Sequence, residues 1–164
     1  MDTSSLRHAF GMLLDAAATA AGSEHPRSVP PGDGWNADQI LAHVALVNAA
    51  TIGATSSVAG GAISTYDNRI ASDAWTIGRV IGLAGGSAGL RERIRLQGEA
   101  LCALVSAVSD TELDTPVPAL LTSNGAVLVD QPMPLRAIIT GLAEVELPGH
   151  AQQLLALVPD DAAI

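Results

Sequence analysis

Glu146 and His150 stand four residues apart on a stripe that also carries Leu135, Ile138, Ile139 and Leu142. His43 lies on a second apolar stripe with Ile40, Leu41, Val44 and Val47. A carboxylate on a core face costs several kcal/mol unless it is paired, protonated or bound to a metal. Two imidazoles and one carboxylate converging inside a helical bundle would make an open, three-ligand metal site. Spacing alone leaves a second reading open: a buried Glu146–His150 or Glu146–Arg pair that only fixes helix packing. A lone histidine such as His43 on an apolar face is more often a hydrogen-bonded core residue than a ligand. Glu146 is what brings metal into consideration, because a carboxylate on a core stripe is rare without a partner.

The other candidate groups have plainer readings. His8 falls about 200° round from Leu6 on a helix, off the apolar stripe, and reads as a surface residue. His25, between Glu24 and Pro26, reads as an exposed loop residue. Cys102, the single cysteine, sits amid Leu101, Ala103 and Leu104 and reads as a small buried hydrophobe. One cysteine cannot form an internal disulfide, so a reducing, cytoplasmic setting is expected. Asp130 and Tyr66 are weaker candidates for supporting the site, the first at a hairpin end and the second in a loop packed on the bundle.

The elements that must position these groups are mainly helical. The chain has 164 residues, which fits one domain over 1–164. It is 48% hydrophobic but only 2% aromatic, so its core packs through Ala, Leu and Val. A first helix is expected over 4–21, on the stripe Leu6, Phe10, Leu13, Leu14 and Ala17. A Pro- and Gly-rich loop follows over 23–35. Asn36 with Gln39 three residues on is a capping box that opens a second helix to about residue 56. Trp35, just before the cap, could staple against Ile40.

Gly60 and Gly61 break that helix, and Tyr66, Asp67 and Asn68 look like a turn. A short helix is expected over 73–83, capped by Ser72 or Asp73. Another, capped by Ser87, is expected over 88–108 on Leu90, Ile94, Leu101, Leu104, Val105 and Val108. From 116 to 131 the period falls from 3.6 to about 2, around Ser123-Asn124-Gly125, which signals a β-hairpin. A lone hairpin is marginal and should pack on the helices. Pro134 opens a last helix expected to run to about 157, and Pro148 inside it should kink it between Glu146 and His150.

Charge and hydropathy narrow the partners. Seventeen acidic residues against eight arginines and no lysine give a formal charge of -9. Nucleic acid is not expected, because phosphate contacts need clustered positive charge. Arg91, Arg93 and Arg95 are interleaved with Glu92 and read as a solvated helix face. No apolar run reaches about 18 residues without a polar interruption, so no membrane span is expected. The N-terminus lacks the basic and apolar regions of a signal peptide. A mean hydropathy of +0.33 and small-residue surfaces point to self-association, with a homodimer expected.

At the same residues a resemblance appears. GWNADQILAHVALVN resembles the second-helix segment of DinB-like proteins and of the N-terminal domain of mycothiol-dependent maleylpyruvate isomerases, with their GW-x-x-x-x-(hydrophobic)-x-A-H signature. LAEVELPGHAQQLLAL resembles their last-helix segment, in which His or Glu is followed four residues later by His. YDNRI and VLVDQPMP look like actinobacterial members of this group.

The resemblance implies an all-α, up-down-down-up four-helix bundle with one long crossover, here with a small β-hairpin before the last helix. It implies a divalent metal, zinc or nickel, held by His43, Glu146 and His150. It also implies a low-molecular-weight thiol such as mycothiol as co-substrate of a transferase or isomerase. An alternative register that uses Glu144 puts Pro148 at the histidine position. The chain shows no counterpart of the C-terminal domain of full-length maleylpyruvate isomerases, and no cationic cluster suited to a thiol cofactor's carboxylates. Two rivals stand beside the thiol enzyme: a non-catalytic relative that dimerises or binds an apolar ligand, and a metal-dependent hydrolase.

Overall fold

The computed structural model describes residues 1–23, 34–123 and 125–159. The loop expected over 23–35, with His25, and the hairpin-tip Asn124 lie largely or wholly outside the described residues. Helices dominate: α1 Ser4–Gly22, α2 Ala37–Ala59, α3 Ala74–Ala84, α4 Ser87–Ala107, a single turn α5 Asp110–Leu113, and α6 Leu135–Gly141 running through a π turn into α7 Leu147–Leu155. Three short strands accompany them: β1 Tyr66–Asp67, β2 Pro116–Ser123 and β3 Ala126–Pro134.

Periodicity explains the helices. α1 buries Leu6, Ala9, Phe10, Leu13, Ala16, Ala17 and Ala20, a stripe of one turn per three or four residues. It packs on α4 and α7, and α2 packs on α4 and α3. The close approach of α1 to α4 depends on Gly98, where a Cβ would stand 2.9 Å from the Phe10 ring. The turn from α3 into α4 is tighter still. Gly85 and Gly86 adopt left-handed φ values of 76° and 87°, and a Cβ at Gly89 would overlap the Ala84 carbonyl oxygen at 1.8 Å. Gly86 occupies the cap of α4, and Ser87 is its first helical residue rather than its cap.

α2 is the central helix and is buried nearly all round, from Ile40 to Val58. Contrary to expectation, among the described residues it is the one helix long and apolar enough to cross a membrane by length and composition. Most of that apolar window is buried within the protein, which is also how the core helix of a folded domain reads. Its start is fixed by the expected capping box: Asn36 accepts from Gln39 N–H and Gln39 accepts from Asn36 N–H, each at 2.9 Å. Asp73 caps α3 by accepting from Thr76 N–H at 2.8 Å.

The expected hairpin is present but has a third strand. Tyr66 and Asp67, expected in a turn, pair in parallel with Ala119 and Leu120 of β2. The Asn68 side chain extends this edge, accepting from Thr122 N–H at 2.8 Å and donating to the Thr122 carbonyl at 3.0 Å. β2 and β3 are antiparallel, with Pro116 opposite Pro134 and Pro118 opposite Pro132. Prolines facing one another two residues apart occupy non-hydrogen-bonded pairs, so no ladder donor is lost between the two strands.

The last helix departs most from expectation. Pro148 does not simply kink it. The chain widens into a π turn over Leu142–Glu146, in which Leu147 N–H donates to the carbonyl of Leu142, five residues back. One extra residue is thereby taken up, and the buried stripe jumps from Leu142 and Ala143 to Leu147, Ala151 and Leu154. Glu146 and His150 therefore leave the core stripe and stand at its edge.

Candidate metal centre

His43 reaches the site from the second turn of α2 and is buried. Its Nδ1–H donates to the carbonyl of Ala71 at 2.8 Å, in the 3₁₀ turn Arg69–Ser72 between β1 and α3. A carbonyl only accepts, so Nδ1 carries the proton and the lone pair of the neutral ring sits on Nε2. Trp35 leans on the same imidazole, its ring centre 4.8 Å away and tilted by 45°. The residue expected to staple α2 thus also covers the candidate ligand.

Nε2 of His43 lies 3.2 Å from Oε1 of Glu146, and Nε2 of His150 lies 3.4 Å from the same oxygen. Nδ1 of His150 donates to Oε1 of Gln153 at 2.9 Å. Both imidazoles are therefore held in the same tautomer, with their unprotonated nitrogens turned toward one carboxylate oxygen. The three ligand atoms all lie within 4.8 Å of one another. The side chains are 7%, 36% and 15% exposed for His43, Glu146 and His150, so the cluster is sheltered but reachable from solvent.

Three acceptors facing one another repel unless a cation lies among them. A proton or a metal ion can fill that place. Hydrogen bonds from His150 and then from His43 pull the Glu146 carboxyl down to about 2, against the opposing effect of burial. Burial lowers the pKa of His150, but Glu146 and Gln153 outweigh it and leave it raised. A divalent ion would satisfy the same three atoms. Tetrahedral ligands about 2.0–2.1 Å from an ion stand about 3.3–3.4 Å apart. The two Nε2–Oε1 separations are close to this, while the whole set spans up to 4.8 Å and would have to draw in around an ion. Outer partners on both Nδ1 atoms are the usual way a protein fixes tautomer and orientation in a metal-binding histidine. The residues therefore fit a metal.

The cluster opens onto a cavity of about 760 Å³ between the last helix, the sheet and the start of α2. Tyr66 lines it, as does Gln153. The Tyr66 hydroxyl accepts from Thr51 Oγ1 at 3.5 Å, and burial raises its pKa. Asp130 lies outside the cavity, on the exposed side of β3 opposite Leu120. His8 is exposed, and Cys102 is buried with its thiol pKa raised by that burial. The Arg91–Arg95 stretch lies on α4, where Arg95 bridges Glu92 and Glu99.

Sequence reasoning missed the supports of the site. The Ala71 carbonyl is a backbone atom and leaves no residue-type signal. Gln153 does leave one: it is a side-chain acceptor one turn beyond His150, on the same helix face.

No family model matches the chain, and neither the curated proteins nor the solved structures yield a match.

Proposed function

We propose that His43, Glu146 and His150 hold a divalent metal, zinc or nickel, and that the protein is a DinB-like, thiol-dependent transferase or isomerase. One observation carries the metal: two imidazoles, each with Nδ1 engaged by an outer acceptor, turn their Nε2 atoms toward one carboxylate oxygen. The packing of α1, α2, α4 and the α6–α7 helix supports the finer fold reading, a four-helix bundle of up-down-down-up order. In that reading α3 and the sheet occupy the connections. The GW-x-x-x-x-(hydrophobic)-x-A-H segment and the Glu146/His150 pair support the family resemblance, and mycothiol is the thiol it suggests.

A divalent ion with open positions supplies Lewis acidity and lowers the pKa of a coordinated thiol. The chain's own part is to hold and shield. Ala71 and Gln153 orient the imidazoles, Trp35 covers His43, and the cavity admits a small molecule beside them. A second reading is a proton-bridged, structural Glu146–His pair, favoured by contacts that are already at hydrogen-bond length. A third is a metal-dependent hydrolase.

Titrating a small thiol into cobalt-loaded protein separates the three. A thiolate-to-cobalt charge-transfer band is expected for the thiol enzyme. Cobalt uptake with no thiol response points to a hydrolase, and no uptake leaves the structural pair.

A further inference from the structure

The lining of the cavity beside the triad is one-sided in its chemistry. Leu121, Leu128, Met133, Ile138, Leu142 and Val145 supply its apolar wall from the hairpin and the last helix. Leu128 and Val145 line it while remaining 66% and 70% exposed. Large apolar side chains left open around a concave site are surface that a bound molecule would cover.

The charged groups are few. Among the described residues the only arginine on the lining is Arg69, and its guanidinium is tied to Asp67 by contacts of 3.0, 3.0 and 2.6 Å. Glu146 is the only carboxylate among the described residues on that lining. Among the described residues, a second anionic group on a ligand would therefore meet no cation there that is not already paired. The other polar residues on that lining, Tyr66, Asn68, Ser72, Thr122, Ser123 and Gln153, are uncharged, so the triad is the one place where a charged or metal-seeking head group is met.

We infer that the cavity takes a single-headed amphiphile: a small molecule with an unbranched or aryl hydrocarbon body and one terminal donor group. The body lies on the wall of Leu121, Leu128, Met133 and Ile138, and the head at His43, Glu146 and His150. Placement of the head rests on the metal reading above; that of the body does not. A thiol substrate would thus be an apolar one, in place of the polar mycothiol that the resemblance suggests, and a multiply charged thiol such as glutathione would fit poorly.

The test uses Trp35 as reporter. The full chain carrying Trp75→Phe, a change at an exposed position, leaves Trp35 as the one tryptophan. Its fluorescence is followed while 1-alkanethiols and 1-alkanols from six to ten carbons, and glutathione, are titrated into zinc-loaded and into chelator-treated protein. Each methylene should tighten binding by up to about fourfold, the value for full burial. Leu128→Glu and Val145→Glu should each weaken the ten-carbon ligand at least tenfold, and being changes at exposed positions they leave the core intact.

A methylene series that survives chelation without preference for thiol over alkanol would sustain this inference and remove the metal-bound head. Affinity independent of chain length, or glutathione binding more tightly than decanethiol, would overturn the inference while leaving the metal reading standing.

Discussion

One carboxylate oxygen lies at the centre of the candidate metal site. Oε1 of Glu146 faces Nε2 of both His43 and His150, and neither imidazole can turn away because its Nδ1 is occupied. His43→Ala and Glu146→Ala should each abolish metal binding while far-ultraviolet circular dichroism stays helical. Retention of full metal stoichiometry by both would refute the ligand assignment. The pH dependence follows from the same atoms. In metal-free protein His150 has a raised pKa, so its contribution is complete below about pH 6.5 and is lost as pH rises through its folded value. Glu146, drawn down to about 2, contributes above about pH 4.3 and loses that contribution as pH falls toward 2. Metal affinity runs the other way at the upper end, because protons compete for Nε2. Denaturation midpoints of chelated protein should therefore fall as pH rises above about 6.5, while zinc affinity measured calorimetrically rises over the same range. All three residues of the cluster were readable from residue type and spacing. The Ala71 carbonyl that fixes one of them was not, since a main-chain atom has no signature in the alphabet.

At the scale of elements, the longer helices were visible in the sequence from their apolar periodicity, and two of them from a recognisable start. Asn36 and Gln39 mark α2, and Asp73 marks α3. What escaped was structure that breaks a single period. β1 is two residues long and exists only because β2 offers it an edge, so Tyr66 and Asp67 looked like a turn. α5 is one turn held by a capping box between Ser109 and Glu112, too short to show periodicity. The π turn was concealed by assuming 3.6 residues per turn. The five-residue step from Leu142 to Leu147 is its trace, and it moves Glu146 from the core to the cavity. Glycines at helix crossings make sharper predictions than propensity does. Gly89→Ala should cost about 2–3 kcal/mol or more in a urea melt, because its Cβ meets the main-chain carbonyl of Ala84, which cannot swing aside. Gly98→Ala should cost about 1–3 kcal/mol, and Phe10→Leu should recover part of that, because the obstacle there is a side chain.

Across the whole molecule, the triad joins the beginning of α2 to the middle of the chain's last helix, 103 residues apart in sequence between His43 and Glu146. A ligand bound there holds the folded state together, so metal should stabilise globally. At a hundredfold excess over its dissociation constant the gain is about 2.7 kcal/mol. For a chain of this size that raises Tm by roughly 5–10 °C in a thermal melt. The shift should vanish in His43→Ala. The central claim is that these three residues form a metal site, and elemental analysis of tag-free protein by plasma mass spectrometry tests it most directly, with His150→Ala alongside. About one divalent metal per chain in the wild type and none in the variant is the predicted result. No metal in the wild type after reconstitution with zinc, nickel and manganese would contradict it and leave a structural Glu146–histidine pair.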